Sequence, residues 1–141
     1  MPEIKPVSGV AQSIAASALR AQQARMRIIA ENLANADSTS KTAGGDPYRR
    51  KIPTFTSELD RAIDSKVVTL GRVKTDTTAF RMKYEPGNPA ADAAGIVKYP
   101  NVNPLIEMTD MREAQRSYEA NLNIITATRR MIQRTLDILK A

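Results

Sequence analysis

NPLIEMTDMREAQRSYEANLNIITATRRMIQRTLDILKA, residues 103–141, is the stretch on which the fold turns. Met108, Met111, Gln115, Tyr118, Leu122, Ile125, Arg129, Ile132, Leu136 and Leu139 follow one another in steps of three and four without a break. That spacing keeps side chains on one face of a helix and defines a heptad seam, with Gln115 and Arg129 as its polar members. Asn103 followed by Pro104 supplies a cap and a first helical residue. Glu107, Asp110 and Glu113 fall early, and Arg129, Arg130, Arg134 and Lys140 fall late, an order that complements the helix dipole. A helix of about 35 residues reaches roughly 50 Å, more than a compact domain of this length needs.

Working outward, a second long helix is predicted at the other end. Residues 7–36 contain no Pro and are rich in Ala, Gln and Arg, all strong helix formers. Ala15, Leu19, Gln22, Met26, Ile29, Leu33 and Ala36 repeat the same three-and-four stepping, with Gln22 as the polar member. Ser8 is the expected N-cap, and Asn35 and Asp37 supply turn chemistry at the far end. The two seams are expected to pair within one chain as an antiparallel coiled coil. Polar Gln22 and Gln115 would fix its register at some cost in stability. Ala11, Ala18, Ala21 and Ala24 flank the first seam, and Ile124, Met131 and Ile138 flank the second. A two-helix pair has little core, so apolar flanks beyond one seam call for further partners.

The middle changes character. Residues 37–46 are polar, and Gly44-Gly45 reads as a flexible turn, lacking the spacing and the Lys-Ser/Thr of a phosphate loop. β-type residues concentrate at 48–55, 67–75 and 79–84, a short helical piece is expected around 57–64, and Pro86-Gly87-Asn88-Pro89 marks a turn. Strands packed on or beside the helices are expected, because so small a segment holds little core alone. The fold class is therefore mainly α with a small β-rich middle and an extended shape. Its parts are 1–36 as N-terminal helix, 37–102 as middle and 103–141 as C-terminal helix.

Composition narrows the chemistry. Cys and His are both absent, which excludes disulfides and thiolate metal sites and removes the commonest general base and metal ligand. Asp60 and Asp64 would share a helix face with Arg61, which reads as a solvated face and not as a catalytic pair. No catalytic, metal or cofactor site is expected, and no small-molecule substrate. The net charge is +6, but basic and acidic residues number 4 and 2 in 1–35, 11 and 8 in 36–100, and 6 and 5 in 101–141. An excess spread this evenly argues against nucleic acid, which selects clustered charge. The basic run Tyr48-Arg49-Arg50-Lys51 reads as a solvated edge strand. Its alternative role is contact with an acidic neighbouring subunit or anionic lipid. Aromatics make up 4% of the chain, so packing between helices is expected to be thin. Met1-Pro2-Glu3-Ile4-Lys5-Pro6 has neither the basic nor the apolar region of a cleaved leader.

Two stretches carry a family resemblance. Residues 17–26 (SALRAQQARM) running on to Glu31-Asn32-Leu33-Ala34-Asn35-Ala36-Asp37-Ser38 resemble the N-terminal signature of flagellar rod and hook proteins. The Asn-Leu-Ala-Asn-Ala-Asp element is its most specific part. Val97-Lys98-Tyr99-Pro100-Asn101-Val102-Asn103, Glu107-Met108, Asp110-Met111 and residues 114–121 (AQRSYEAN) are similar to the proximal-rod branch of that family, as are residues 84–90 (YEPGNPA). Ser38 stands where the family often has Thr, and Pro104-Leu105-Ile106 replaces a more usual valine-and-acid start. The resemblance implies a structural subunit of the basal-body rod in the periplasm, exported unfolded through the flagellar type III apparatus without a cleaved signal. Its implied partners are copies of itself, other rod proteins, the membrane ring and the export apparatus, with the terminal helices in the inner core of a helical tube. It also implies a free monomer only partly ordered. The rival readings are a cytoplasmic coiled-coil adaptor, such as an export chaperone or a nucleic-acid-associated factor, and, more distantly, an enzyme. The signatures at 32–38 and 99–103 speak against the adaptor.

The expected helix-packing and assembly residues are Leu19, Gln22, Met26, Ile29, Asn32, Leu33 and Asn35 at one end. At the other they are Met108, Met111, Gln115, Tyr118, Leu122, Ile125, Ile132, Leu136 and Leu139.

Overall fold

The computed structural model describes residues 7–141. Helix α1 spans Val7–Ala34 and helix α2 spans Pro104–Lys140. Between them lie six short strands: β1 (Lys51–Ile52), β2 (Phe55–Asp60), β3 (Ser65–Leu70), β4 (Lys74–Thr75), β5 (Arg81–Tyr84) and β6 (Ile96–Tyr99). They pair antiparallel as β1–β4, β2–β3 and β5–β6, three separate two-stranded ribbons. The architecture is two terminal helices with a small β middle, as the sequence implied.

The ends of the helices have local causes. Asn103 caps α2 as expected: its side-chain oxygen accepts from the Leu105 N–H at 3.1 Å, and its carbonyl accepts from the Glu107 N–H at 3.1 Å. Pro104 is the first helical residue, where its missing N–H costs nothing. α1 is already helical at Val7, so Ser8 lies inside the first turn and does not cap it. α1 stops two residues before Ala36. Asn35 turns its side-chain amide onto the Glu31 carbonyl at 2.8 Å, and the next N–H, of Ala36, reaches back only to Leu33 at 3.2 Å. The helix tightens and ends.

Residues 57–64 are not helical, contrary to the sequence expectation. They form most of β2 and the turn into β3, with Phe55 opposite Leu70 and Asp60 opposite Ser65. Two features decide it. Asp60 binds the Ala62 N–H at 2.8 Å through its side chain, and Asp64 sits at φ 49°, in the left-handed region where a right-handed helix cannot continue. Asp60 and Asp64 therefore share no helix face.

The chain divides into two compact units, and each helix contributes a segment to both. Unit 1 holds the part of α1 up to Arg25, the β2–β3 hairpin within Phe55–Gly71, and Glu113–Ala141. Unit 2 holds Met26–Thr54 and Arg72–Arg112. Their cores differ in kind. Unit 2 buries Ile28, Ile29, Ala36, Ala90, Val97, Pro100 and Val102 together with Asn32 and Glu107. Among the described residues, unit 1 buries only Ala15, Ser17, Ala21 and Ala114 completely, all small side chains.

The helices differ too. On α1 the exposed positions are Val7, Arg20, Gln23, Arg27, Ala30 and Ala34, a narrow strip beyond the first turn. On α2 the covered strip runs Glu107, Met111, Ala114, Tyr118, Asn121, Ile125, Thr128 and Ile132. It shares Met111, Tyr118, Ile125 and Ile132 with the expected seam, but its alternate members lie one residue earlier. Ala114, fully buried, permits close approach where the longer Gln115 would not, so Gln115 and Leu122 turn outward.

Candidate assembly surface and polar clamp

Unit 2 is organised around one asparagine. Asn32, the first residue of the Asn-Leu-Ala-Asn-Ala-Asp element, is wholly buried. Its amide donates to the Lys51 carbonyl at 2.8 Å and to Glu107 Oε2 at 3.1 Å. Its oxygen accepts from the Tyr48 hydroxyl at 2.7 Å and from the Lys51 N–H at 2.9 Å. Both donors and both acceptor positions are thus used, which only an asparagine's geometry permits here. One side chain on α1 thereby holds the incoming strand β1 and the first turn of α2.

Glu107 continues the chain of contacts. Its other oxygen accepts from Arg50 Nε at 2.6 Å, and Arg50 also lies 3.6 Å from Asp76 and 3.7 Å from Asp110. Burial works against the Arg50 charge, but the hydrogen bond and charge of Glu107, with Asp76 and Asp110, raise its pKa overall. Burial, with Glu31 and Glu107 nearby, pushes the Tyr48 hydroxyl up to about 12, so it stays a donor. Asp76 is held below the usual carboxylate range, first by the Thr78 N–H and then by its hydroxyl. Asn101 closes the ring: its oxygen accepts from the Arg50 N–H at 2.9 Å and its amide donates to the Asp76 carbonyl at 3.1 Å.

The basic run at 48–51 is therefore not a solvated edge. Arg50 is spent on Glu107, Lys51 pairs with Glu31 at 2.5 Å, and Arg49 stacks 4.1 Å above the centre of the Phe80 ring. Arg81 ties down the end of the same N-terminal element, donating to the Ala36 carbonyl at 2.7 Å and the Pro100 carbonyl at 3.0 Å.

Unit 1 offers the opposite: apolar surface with no cover. Leu122, Ile124, Met131, Leu136, Ile138 and Leu139 of α2 are between 46% and 77% exposed. Leu122, Leu136 and Leu139 belong to the expected seam, while Ile124, Met131 and Ile138 step by seven along a second strip. A helix with several exposed apolar strips is left with unfilled sides.

The expected assembly residues fall into three groups. Ile29 and Asn32 are core. Leu19, Gln22, Met26, Leu33, Asn35, Met111, Tyr118, Ile125 and Ile132 are half-buried. Met108, Gln115, Leu122, Leu136 and Leu139 are exposed. The Gln22 side-chain oxygen is buried without a hydrogen-bond donor among the described residues. Sequence reasoning missed Tyr48, Arg50, Asn101 and Glu107 as a constellation. The available signal was Glu107, a carboxylate beside the apolar seam, with Arg50 the half-buried cation that matches it.

The comparisons agree with this geometry. A family model described as "Flagella basal body rod protein" matches residues 13–40, and one described as "Flagellar basal body rod FlgEFG protein C-terminal" matches residues 93–138. Those segments contain Asn32 and Glu107 respectively. The chain is 54% identical to the flagellar basal-body rod protein FlgC of Agrobacterium fabrum, across 93% of this chain and 94% of that protein. It is 40% identical to the FlgC of Salmonella typhimurium, across 89% and 92%, and 37% identical to that of Bacillus subtilis, across 91% and 95%. The chain belongs to the FlgC family of flagellar basal-body rod proteins.

Proposed function

We propose that the chain is a structural subunit of the flagellar basal-body rod and acts in its proximal part. The observation that carries the reading is the relation to FlgC proteins, which in the Agrobacterium fabrum case covers 93% of this chain and 94% of that protein, joined to the uncovered apolar strips on α2. A subunit that works alone would be penalised for that surface, whereas one packed among copies and other rod proteins needs it. In the assembled rod the terminal helices pair as an antiparallel coiled coil and pack against those of neighbours, forming a tubular axial shaft. The regions 1–36 and 103–141 supply this helical part, and the middle region mediates contacts outside it. The subunit reaches the periplasm through the flagellar export apparatus, and the membrane ring is a further neighbour. The role is mechanical and not catalytic.

The test is mass spectrometry of purified hook–basal bodies against the soluble fraction, with a deletion strain alongside. Enrichment that survives salt and detergent, with rods failing to form in the deletion strain, is the expected result. Recovery only in the soluble fraction, or intact rods without the chain, would overturn the reading.

A further inference from the structure

The distal part of α2 arranges its charges around its apolar surface in a definite order. Within residues 124–132 only Ile125, Thr128 and Ile132 are partly covered, and from residue 133 to 141 every residue is exposed. On a helix turning about 100° per residue, Ile124, Ala127, Met131 and Ile138 line one exposed strip. Leu136 and Leu139 widen the apolar arc where the covered strip has ended. Cations stand at both margins of that arc. Arg130 and Arg134 border the Ile138 side, and Arg129 and Lys140 border the Leu136 side. Thr126, Gln133 and Asp137 lie between the two pairs, so the single acid of residues 124–141 sits farthest from the apolar arc. None of the four cations has an ion-pair partner among the described residues.

We propose that this part of α2 binds an anionic lipid surface while the chain is free. The helix lies in the plane of the interface, with its apolar arc at the boundary between headgroups and acyl chains. The charge order selects this occupant. Long cationic side chains at both margins reach up from an apolar face to headgroup phosphates, and the acid is kept on the side turned to water. A seam built for another helix is flanked by charges of both signs, whereas here both margins carry cations alone. No described helix is long and apolar enough to cross a membrane, so the contact is with its surface. The inference goes beyond the rod-subunit reading, because the same residues cannot face lipid and a neighbouring subunit at once. Lipid binding belongs to the chain before assembly and competes with it.

The test is flotation of the full-length chain with vesicles of phosphatidylglycerol and phosphatidylcholine in equal parts, or of phosphatidylcholine alone. The chain should float with the first, remain behind with the second, and be released by salt. Arg130→Gln with Arg134→Gln should weaken partitioning about thirtyfold, and Arg61→Gln with Lys66→Gln, which removes the same charge from the hairpin, less than about threefold. All four positions are exposed, and far-ultraviolet circular dichroism checks that the helices persist. Equal losses in the two double variants would reduce the effect to net charge and overturn the proposal, as would flotation with neither vesicle. The chain has no Trp, which allows a second measurement. Met131→Trp should shift its emission to the blue on the anionic vesicles and be quenched by brominated lipid, while Gln133→Trp stays in water. Identical behaviour of the two probes would contradict the proposal. So would a blue shift of Met131→Trp without vesicles that grows with protein concentration, which would give the face to a second copy. Recovery of the chain in purified basal bodies is scored separately and reports on the rod reading alone.

Discussion

Unit 2 and unit 1 are built from the same two helices, yet one is closed and the other open. Unit 2 fills its interior with Ile28, Ile29, Val97 and Val102 and satisfies every hydrogen-bonding position of Asn32. Unit 1 buries alanines and a serine and leaves Leu122, Met131, Leu136, Ile138 and Leu139 in solvent. The difference teaches that helical propensity and burial are separate resources here. α2 is helical through to Lys140, but only its first turns are fixed by a dense network. The rest of its apolar surface is available to neighbours.

The comparison predicts where substitutions hurt the free chain. The largest effect belongs to Glu107→Leu, which leaves Arg50 without its closest partner and Asn32 with an idle donor. A loss of about 3–5 kcal/mol is expected, read by urea unfolding followed by far-ultraviolet circular dichroism. A cost near zero would show that the clamp does not hold unit 2 together. Next comes Ile29→Ala, at about 2–4 kcal/mol for a fully buried aliphatic, against less than about 0.5 kcal/mol for Leu139→Ala at 77% exposure. Equal costs would erase the contrast between the units. In assembled rods the order should change, with Leu139→Ala reducing incorporation although the monomer tolerates it.

A smaller effect is expected at Gly95. It holds φ at 77°, and a methyl group there would meet Tyr84 Cε2 at 2.9 Å and Pro86 Cβ at 3.1 Å. Gly95→Ala should cost about 1–2 kcal/mol and loosen the β5–β6 ribbon, seen as faster amide exchange at Ile96 and Val97.

The smallest effects are in pH dependence, and they have opposite signs. Glu85, held to about 2 by hydrogen bonds from Lys83, Asn88 and Tyr99, contributes stability above its ordinary 4.5 that fades as pH falls towards 2. Tyr48, raised to about 12, contributes stability that is complete below its ordinary 10.0 and disappears as pH rises through 12. Glu85→Gln should flatten the acid limb and Tyr48→Phe the alkaline limb of a melting-temperature profile. An unchanged alkaline limb in Tyr48→Phe would mean that this hydroxyl is not the one that titrates.

Much of the architecture is legible in the residues. Three-and-four stepping marks both helices, and the Asn103-Pro104 pair marks the start of α2 to the residue. The face of α2 is harder, because Ala114, Asn121 and Thr128 are covered by virtue of being small, a property that apolar periodicity does not record. Residues 57–64 read as helix because Leu59, Ala62 and Ile63 favour it locally. Pairing with β3 overrode that preference, and such pairing depends on residues up to 15 positions away, as Phe55 and Leu70 show. The clamp was half legible. Asn32 stands out within its motif, but its partners at 48, 50, 101 and 107 come together only through the fold, and a basic run looks solvated until its acids are located. The exposed strips on α2 were readable as surplus apolar flanks, although which of them stays uncovered was not.

Amide hydrogen exchange tests the central contrast most directly, measured on the free chain and on the same chain within isolated basal bodies. The account predicts strong protection of residues 28–33 and 96–111 in both states. It predicts that residues 119–140 exchange quickly in the free chain and become protected only in the basal body. Equal protection of the two regions in the free chain, or no gain over 119–140 on assembly, would contradict it.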